Sequence, residues 1–327
     1  MTKGPPPVPG WVRTGSVRRF ERTTTKRHYY PGGVHTTMPL QTPPLRGLHD
    51  DTGAKFTAFG GWDMPVEFSS IRDEHVAVRT DVGKFDVSHM GEIHVTGPDS
   101  TQLLQRLTTN DVAALDVGDA QYAAITDAEG SIIDDTVIYR LPDEAETATY
   151  LFVPNAGTDE AIHERWIAHR NEWDLEATVD NMTDEYAMFA VQGPNSADLV
   201  AAAADESIDA LSRFDAKTVT IEGVECWAGR TGYTGEDGFE FVVPWNDAES
   251  VWSAIDCQPA GWVHAIRSES RPAISSRVRS STGSPTRGRP TRPVSDSPSH
   301  SRPTSSAVTP SRRSTKRASR RRWSASS

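Results

Sequence analysis

Two adjacent carboxylates, Asp134 and Asp135, follow a glycine turn in the run Gly130-Ser-Ile-Ile-Asp-Asp. Successive side chains of a β-strand point to opposite faces, so Asp135 shares a face with Val137 and Tyr139. Asp134 lies on the other face. One carboxylate can therefore face a pocket and handle protons or charge there, while its neighbour is solvated or caps the Gly130 turn. The alternative is an acidic pair at the start of a strand in a very acidic protein.

A glycine-rich segment, residues 230–240 (Arg-Thr-Gly-Tyr-Thr-Gly-Glu-Asp-Gly-Phe-Glu), could carry a second carboxylate. Three glycines within seven residues indicate tight turns or close backbone approach. This spacing places Tyr233 in the turn and Glu240 on the strand that follows. The two oxygens of Glu240 could accept paired hydrogen bonds from the N–H edge of a planar heterocycle. An exposed glutamate on an ordinary hairpin is the alternative.

A third segment, residues 85–90 (Phe-Asp-Val-Ser-His-Met), ends in two residues of interest. Met90 has a polarizable side chain that suits the flat face of an aromatic ring, although a lone methionine is more typical of a core. His89 is either a core histidine or a residue that supports the site without contacting the ligand.

Together and in this order, the three segments resemble the aminomethyltransferase of the glycine cleavage system, the T protein, over residues 38–260. The resemblance implies an α+β, two-lobed folate-binding fold of antiparallel sheets with packed helices. It implies that Asp135 is catalytic and lies beside the reacting folate nitrogen. The folate-binding residues that it implies are Met90, Tyr122, Val137, Tyr139, Tyr233 and Glu240.

The resemblance also implies two reaction partners. Tetrahydrofolate is the co-substrate, and a lipoylated H protein presents an aminomethyl group on its lipoate arm. N5 of the folate attacks the methylene carbon, the dihydrolipoyl sulfur departs, N10 closes the ring and ammonia leaves. Neither a metal ion nor a covalent enzyme intermediate is required, so the enzyme positions the reactants and supplies a carboxylate.

The net charge of −11 conceals three segments of different charge. Residues 1–37 hold seven Lys/Arg and one acidic residue, residues 38–260 hold 42 Asp/Glu and 12 Lys/Arg, and residues 261–327 hold 15 Lys/Arg and two acidic residues. Because the acids of the middle segment are spread over every predicted element, we interpret them as an adaptation to a salt-rich cytoplasm. A binder of cationic ligands, in which the acids would cluster, is the alternative.

Both terminal segments depart from the resemblance. Residues 1–37 are predicted to be a disordered basic extension, with Met38 as a possible true start, and residues 261–327 a disordered Arg/Ser/Pro-rich tail. For one permitted set of codons over residues 262–276, a frame shifted by one base yields Leu-Gly-Ala-Arg-Asp-Ser-Leu-Arg, which resembles T-protein sequence. We therefore expect a frameshift product that lacks the C-terminal β-domain and its folate-binding arginines, so that folate affinity is poor.

Other features of the sequence concern its compartment. Cys226 and Cys257 fit neither a metal-ligand spacing nor a disulfide framework, which favours two core residues in a reducing compartment. No apolar run reaches the length of a membrane span, and no signal sequence follows Met1. The prediction is a cytoplasmic protein that has no membrane partner.

Periodicity and capping signals predict alternating elements. Predicted helices cover residues 69–80, 99–107, 158–168, 196–204 and 247–255, with Ser69 or Ser70 and Thr158 as N-caps. Predicted strands cover residues 91–97, 122–126, 132–139, 150–154, 186–193, 218–221, 225–228 and 239–243. Strand pairs separated by helices favour an α+β fold over a doubly wound parallel sheet.

Four alternatives to the aminomethyltransferase remain at this stage. The folate domains of dimethylglycine and sarcosine oxidoreductases share these motifs but usually follow a flavin domain. The tRNA-modifying relatives carry a Lys-Gly-Cys-Tyr-x-Gly-Gln motif that this sequence lacks. A nucleic-acid binder would interleave aromatics with the arginines of the tail, which offers only Trp262 and Trp323, so no nucleic-acid partner is expected. An inactive folate-binding protein is the fourth.

Overall fold

The computed structural model describes residues 39–208 and 210–261 of the 327-residue chain. This part corresponds to the predicted folate-binding domain. The predictions for residues 1–37 and for the tail after Gly261 lie outside the described residues.

Six α-helices lie in the described part, and α2 (Ile71–Thr80) shows why they begin where they do. The Ser70 hydroxyl accepts a hydrogen bond from the Asp73 backbone N–H, which is the predicted N-cap geometry. The other helices are α1 (Arg46–Asp51), α3 (Ser100–Leu107), α4 (Asp159–Glu172), α5 (Ser196–Ala203) and α6 (Ala248–Ala254).

The described strands form a hairpin and two larger sheets. The hairpin consists of β1 (Lys55–Phe59) and β2 (Trp62–Glu67). The six-stranded sheet has the spatial order β10 (Ala216–Ile221), β11 (Val224–Gly229), β12 (Gly238–Pro244), β9 (Tyr186–Gln192), β3 (Gly83–Asp86) and β13 (Gln258–Pro259). The five-stranded sheet has the order β5 (Ala120–Thr126), β6 (Ile132–Glu144), β7 (Thr147–Pro154), β4 (Ile93–Thr96) and β8 (Thr178–Asn181).

Strand β9 is buried along its whole length because both of its faces are covered. Met188 and Ala190 point into a core between the two sheets. Phe189 and Val191 point the other way, into a core that includes Val251 of α6. A strand buried on both faces reads as a continuous apolar run, as this one does.

The five-stranded sheet is also covered on both faces. Ile138 of β6 and Phe152 of β7 belong to a core shared with Leu104 of α3 and Trp166 of α4. The Trp166 ring stacks on Phe152 with the ring centroids 4.9 Å apart. Helices therefore cover the outer face of each sheet, and the inner faces meet each other.

The core between the sheets, which we call the intersheet core, is built from side chains of both sheets. Its buried residues are Val78, Phe85, Val87, Ala120, Tyr139, Leu141, Leu151, Val153, Tyr186, Met188, Ala190, Ala216, Trp227, Val242 and Ala260. Every ladder between named strands is antiparallel except β3–β13. The predicted α+β class, with antiparallel sheets and packed helices, is confirmed. Among the described residues, no helix is long and apolar enough to cross a membrane.

Candidate active site

Strand β6 lies between β5 and β7 and carries Asp135 near its start, where two side chains hold the carboxylate. The Tyr122 hydroxyl donates to Asp135 Oδ2. Asn155 Nδ2 donates to Asp135 Oδ1 over 2.6 Å. The register of β5 and β6 explains the first contact, because Tyr122 pairs with Val137 and thus lies diagonally opposite Asp135. Both oxygens of the half-buried Asp135 side chain therefore have a donor.

Asp134 is neither solvated nor a cap of the Gly130 turn, so that prediction is wrong. The side chain is buried and accepts hydrogen bonds from Asn155 Nδ2 and Thr158 Oγ1, each over 2.6 Å. Asp127 closes the turn instead, since its Oδ1 accepts two backbone N–H groups of the loop. The physical reason is that the chain leaves β7 and begins α4 beside the face of β6 that carries Asp134.

Four of the predicted folate-binding residues border the intersheet core. Tyr139 is fully buried in it, and Met90, Val137 and Tyr233 pack partly buried against it. The Tyr233 ring lies edge-on to Phe85, with the ring centroids 5.8 Å apart. These side chains offer the apolar and aromatic surface that a planar ring would need on its faces.

Glu240 is joined to the intersheet core by a chain of hydrogen bonds. Thr231 Oγ1 donates to Glu240 Oε2 over 2.6 Å and lies 2.9 Å from the Tyr139 hydroxyl. Burial raises the pKa of Glu240, while hydrogen bonds to Thr231 and Tyr139 lower it. Burial, and then the charge of Glu240, raises the pKa of Tyr139 well above its ordinary value. The Tyr139 hydroxyl therefore stays protonated near neutral pH.

The backbone of the glycine-rich segment passes close to the side chain of Gln192. A Cβ at Gly232 or Gly238 would lie 2.0 Å or 2.4 Å from atoms of the Gln192 side chain, and Gly235 has φ +83°. Gln192 is fully buried and accepts a hydrogen bond from Thr234 Oγ1 over 2.9 Å. The glycines thus let the loop fold around the Gln192 side-chain amide, which has a structural role.

His89, which the sequence left undecided, is buried beside the hairpin. It is 1% exposed, and its ring lies edge-on to Phe59 at 5.3 Å. Burial lowers its pKa to about 4, so the imidazole is neutral at neutral pH. This position suits a residue that supports the segment before Met90.

The structure brings the predicted site residues into two linked groups. Asp135 and Tyr122 contact each other directly, and Met90, Val137, Tyr139 and Tyr233 surround the intersheet core. Glu240 joins the second group through Thr231. Asp135 and Tyr139 lie on one face of β6, about 13 Å apart along the strand, with Val137 between them.

Sequence reasoning missed Asn155 as a residue that contacts the candidate catalytic carboxylate. Strand β7 pairs Pro154 with Thr136, which puts Asn155 beside Asp135. Only the register of this pair, which the local sequence does not specify, could have shown the contact.

A comparison with protein families shows which family the chain belongs to. A family model described as the GCVT N-terminal domain matches residues 45–266. The chain belongs to this family. The family agrees with the resemblance that the sequence carries.

Individual relatives agree with the family. A "Probable aminomethyltransferase" of Natronomonas pharaonis is 60% identical over 224 residues, 68% of this chain and 62% of the relative. One from Halobacterium salinarum is 59% identical over 226 residues, again 68% and 62%. The crystal structure of glycine cleavage system aminomethyltransferase T from Bartonella henselae matches with a TM-score of 0.63 and 29% identity. That match covers 70% of this chain and 62% of that one, so the chain spans about 62% of the length of these relatives.

Proposed function

We propose that this GCVT-family chain derives from and acts as the aminomethyltransferase of the glycine cleavage system. In this reaction the methylene carbon of an aminomethyl group, carried on the lipoate of the H protein, passes to tetrahydrofolate, and ammonia is released. The observation that carries the proposal is the joint placement of Asp135, Met90 and Glu240 around the inner faces of the two sheets. Family membership and the relatives named aminomethyltransferase support it.

The residues present fit a reduced pterin. Met90 and Tyr233 supply partly buried apolar surface for its faces. Glu240, held by Thr231, supplies acceptors for its amino edge. When bound, tetrahydrofolate supplies the nitrogen atoms that accept the one-carbon unit. We therefore assign Met90, Tyr122, Val137, Tyr139, Tyr233 and Glu240 to folate binding.

Asp135 is the proposed catalytic carboxylate. Hydrogen bonds from Tyr122 and Asn155 fix its two oxygens, which keeps the charge directed at one point of the site. There it stabilises positive charge on a reacting nitrogen and accepts or returns a proton. The rest of the site contributes by holding the reactants in line.

The partner and the setting follow from the same proposal. The lipoylated H protein is the partner that brings the aminomethyl group, and the reaction takes place in the cytoplasm. The excess of 30 negative charges in residues 38–260 suits a salt-rich cytoplasm, and the relatives from halophilic archaea support this.

The test is ammonia release by the 327-residue chain with tetrahydrofolate and the aminomethyl-loaded H protein. Asp135→Asn keeps the shape of the side chain but removes its charge, so turnover should fall by about 10²- to 10⁴-fold. The matched control is Asp111→Asn, which makes the same change at an exposed position and should leave turnover unchanged. Unaltered turnover in Asp135→Asn would remove this residue from the mechanism, and no ammonia from the unsubstituted chain would overturn the activity.

A further inference from the structure

We propose that Asp134 is a positioning residue for the neighbouring carboxylate of Asp135 and acts through the side-chain amide of Asn155. This inference rests on the proposed function and adds two residues to it. Asp134 and Asp135 point to opposite faces of β6, so a direct side-chain contact between them is not the route. The Asn155 amide reaches both.

The geometry of the amide carries the inference. Asn155 Nδ2 lies 2.6 Å from Asp134 Oδ1 and 2.6 Å from Asp135 Oδ1. A primary amide nitrogen has two hydrogens, so each carboxylate receives one. With the amide turned over, its oxygen would face two carboxylates with no hydrogen between them. Only the orientation that turns Nδ2 toward both carboxylates therefore forms hydrogen bonds with them.

Asp134 is itself fixed by four donors. Its Oδ1 accepts from the backbone N–H of Asp135 (2.8 Å) and from Asn155 Nδ2. Its Oδ2 accepts from Thr158 Oγ1 (2.6 Å) and from the backbone N–H of Asn155 (3.3 Å). The side chain is only 8% exposed. A buried carboxylate with every acceptor position occupied cannot rotate without leaving donors unpaired.

Asn155, by contrast, is exposed and follows the end of β7. Without Asp134, water would compete for its amide and the side chain would sample other rotamers. Asp134 removes this freedom and so holds a donor at Asp135 Oδ1. Since the Tyr122 hydroxyl holds the other oxygen, the carboxylate of Asp135 keeps one orientation before any substrate binds.

The experiment is a set of double-mutant cycles on the 327-residue chain. The single variants are Asn155→Ala and Asp134→Asn, and each is also made in combination with the other and with Asp135→Asn. The control is Asn171→Ala, which removes an exposed asparagine from the distant end of α4. Single-turnover ammonia release and tetrahydrofolate binding are measured for every variant.

If Asp134 acts through Asn155, Asn155→Ala lowers the rate of the chemical step by about tenfold to 100-fold and changes tetrahydrofolate affinity by less than about threefold. Asp134→Asn should then cost nothing further in the Asn155→Ala background, and Asn155→Ala should cost nothing further in the Asp135→Asn background. Independent, additive losses would overturn the proposal. They would leave the proposed function intact, because that is tested by ammonia release from the unsubstituted chain and by its loss in Asp135→Asn.

A second readout does not need turnover. The ¹³C resonance of the Asp135 carboxyl carbon should move in Asp134→Asn when Asn155 is present. In the Asn155→Ala background, Asp134→Asn should change this ¹³C chemical shift very little. An equal shift in both backgrounds would mean a direct effect of the Asp134 charge and would overturn the proposal even if the chain releases no ammonia.

Discussion

Burial of the Glu240 carboxylate affects the stability of the fold and bears on the proposed folate contact in opposite ways. Its carboxylate is held by Thr231 near the intersheet core, and burial raises its pKa. An ordinary glutamate has a pKa of about 4.3, and below that value the protonated side chain contributes its full stability. As pH rises through the raised pKa of the folded state, this contribution is lost. The ionised form is the one that can accept two hydrogen bonds from a pterin.

The variant Glu240→Gln separates these two effects. We expect the unfolding midpoint of Glu240→Gln, measured against that of the unsubstituted chain at the same pH, to gain between about pH 4 and about pH 8. The reason is that glutamine does not ionise. Its tetrahydrofolate affinity should fall, since the amide offers one acceptor in place of two. Thermal unfolding at both pH values and binding titration check the pair of outcomes. A stability difference that does not change with pH would contradict the assigned environment of Glu240.

At the candidate site, the sequence indicated residues only where a motif includes them, and their roles stay predictions. Asp135, Met90 and Glu240 stand in segments that the resemblance covers. Asn155 and Thr158 act on Asp134 across the β6–β7 ladder and the start of α4, so their roles depend on strand register. The local sequence does not state that register.

At the scale of elements, capping and periodicity located five of the six described α-helices, and the short helix α1 was not predicted. Thr158 is the exception in detail. It occupies the N-cap position of α4, as predicted, but its hydroxyl makes no cap hydrogen bond and donates to Asp134 instead. Helix α4 also runs to Glu172, one turn beyond the prediction.

Five of the described strands were not predicted: β1, β2, β3, β8 and β13. The hairpin strands β1 and β2 are short, and β2 contains a proline, Pro65, which argues against a strand when only the sequence is read. Strand β3 is short and buried at all four positions although it contains Lys84 and Asp86. Lys84 is buried because its ammonium group donates to the carbonyl oxygens of Trp252 and Ile255 at the end of α6. Such partners come from distant sequence and cannot be read locally.

Helix α3 offers a direct test of how the five-stranded sheet is stabilised. Leu104 is fully buried against this sheet, whereas Gln102 on the same helix is exposed. Leu104→Ala should lower the free energy of unfolding by about 2–5 kcal/mol through lost burial and the cavity left behind. Gln102→Ala, the matched control, should change it by less than about 0.5 kcal/mol. Denaturant titration measures both, and equal effects would contradict the described packing.

At the scale of the whole molecule, charge is the dominant feature of residues 38–260. With 42 acidic and 12 basic residues, these surfaces repel one another in dilute buffer. The few basic residues are used locally, for example Arg79 with Glu236 and Arg230 with Asp237 beside the glycine-rich loop. Within residues 38–260 the acids outnumber the bases by 30, so the bases of this segment cannot neutralise most of the negative charge.

Salt should therefore stabilise the chain. Raising KCl from about 0.1 M to about 1 M shortens the Debye length from about 10 Å to about 3 Å. The unfolding midpoint should rise by about 5 °C or more, which corresponds to roughly 2 kcal/mol for a domain of this size. Sucrose of equal osmolality is the control, because it stabilises by exclusion without screening charge. A rise in KCl no larger than that in sucrose would contradict the interpretation.

A crystal structure of the chain with tetrahydrofolate bound tests the central claim most directly. The account predicts a pterin across Met90, with its amino edge hydrogen-bonded to Glu240 and its reacting nitrogen beside Asp135. Density for the pterin at another surface, without contact to Met90, Asp135 or Glu240, would contradict it.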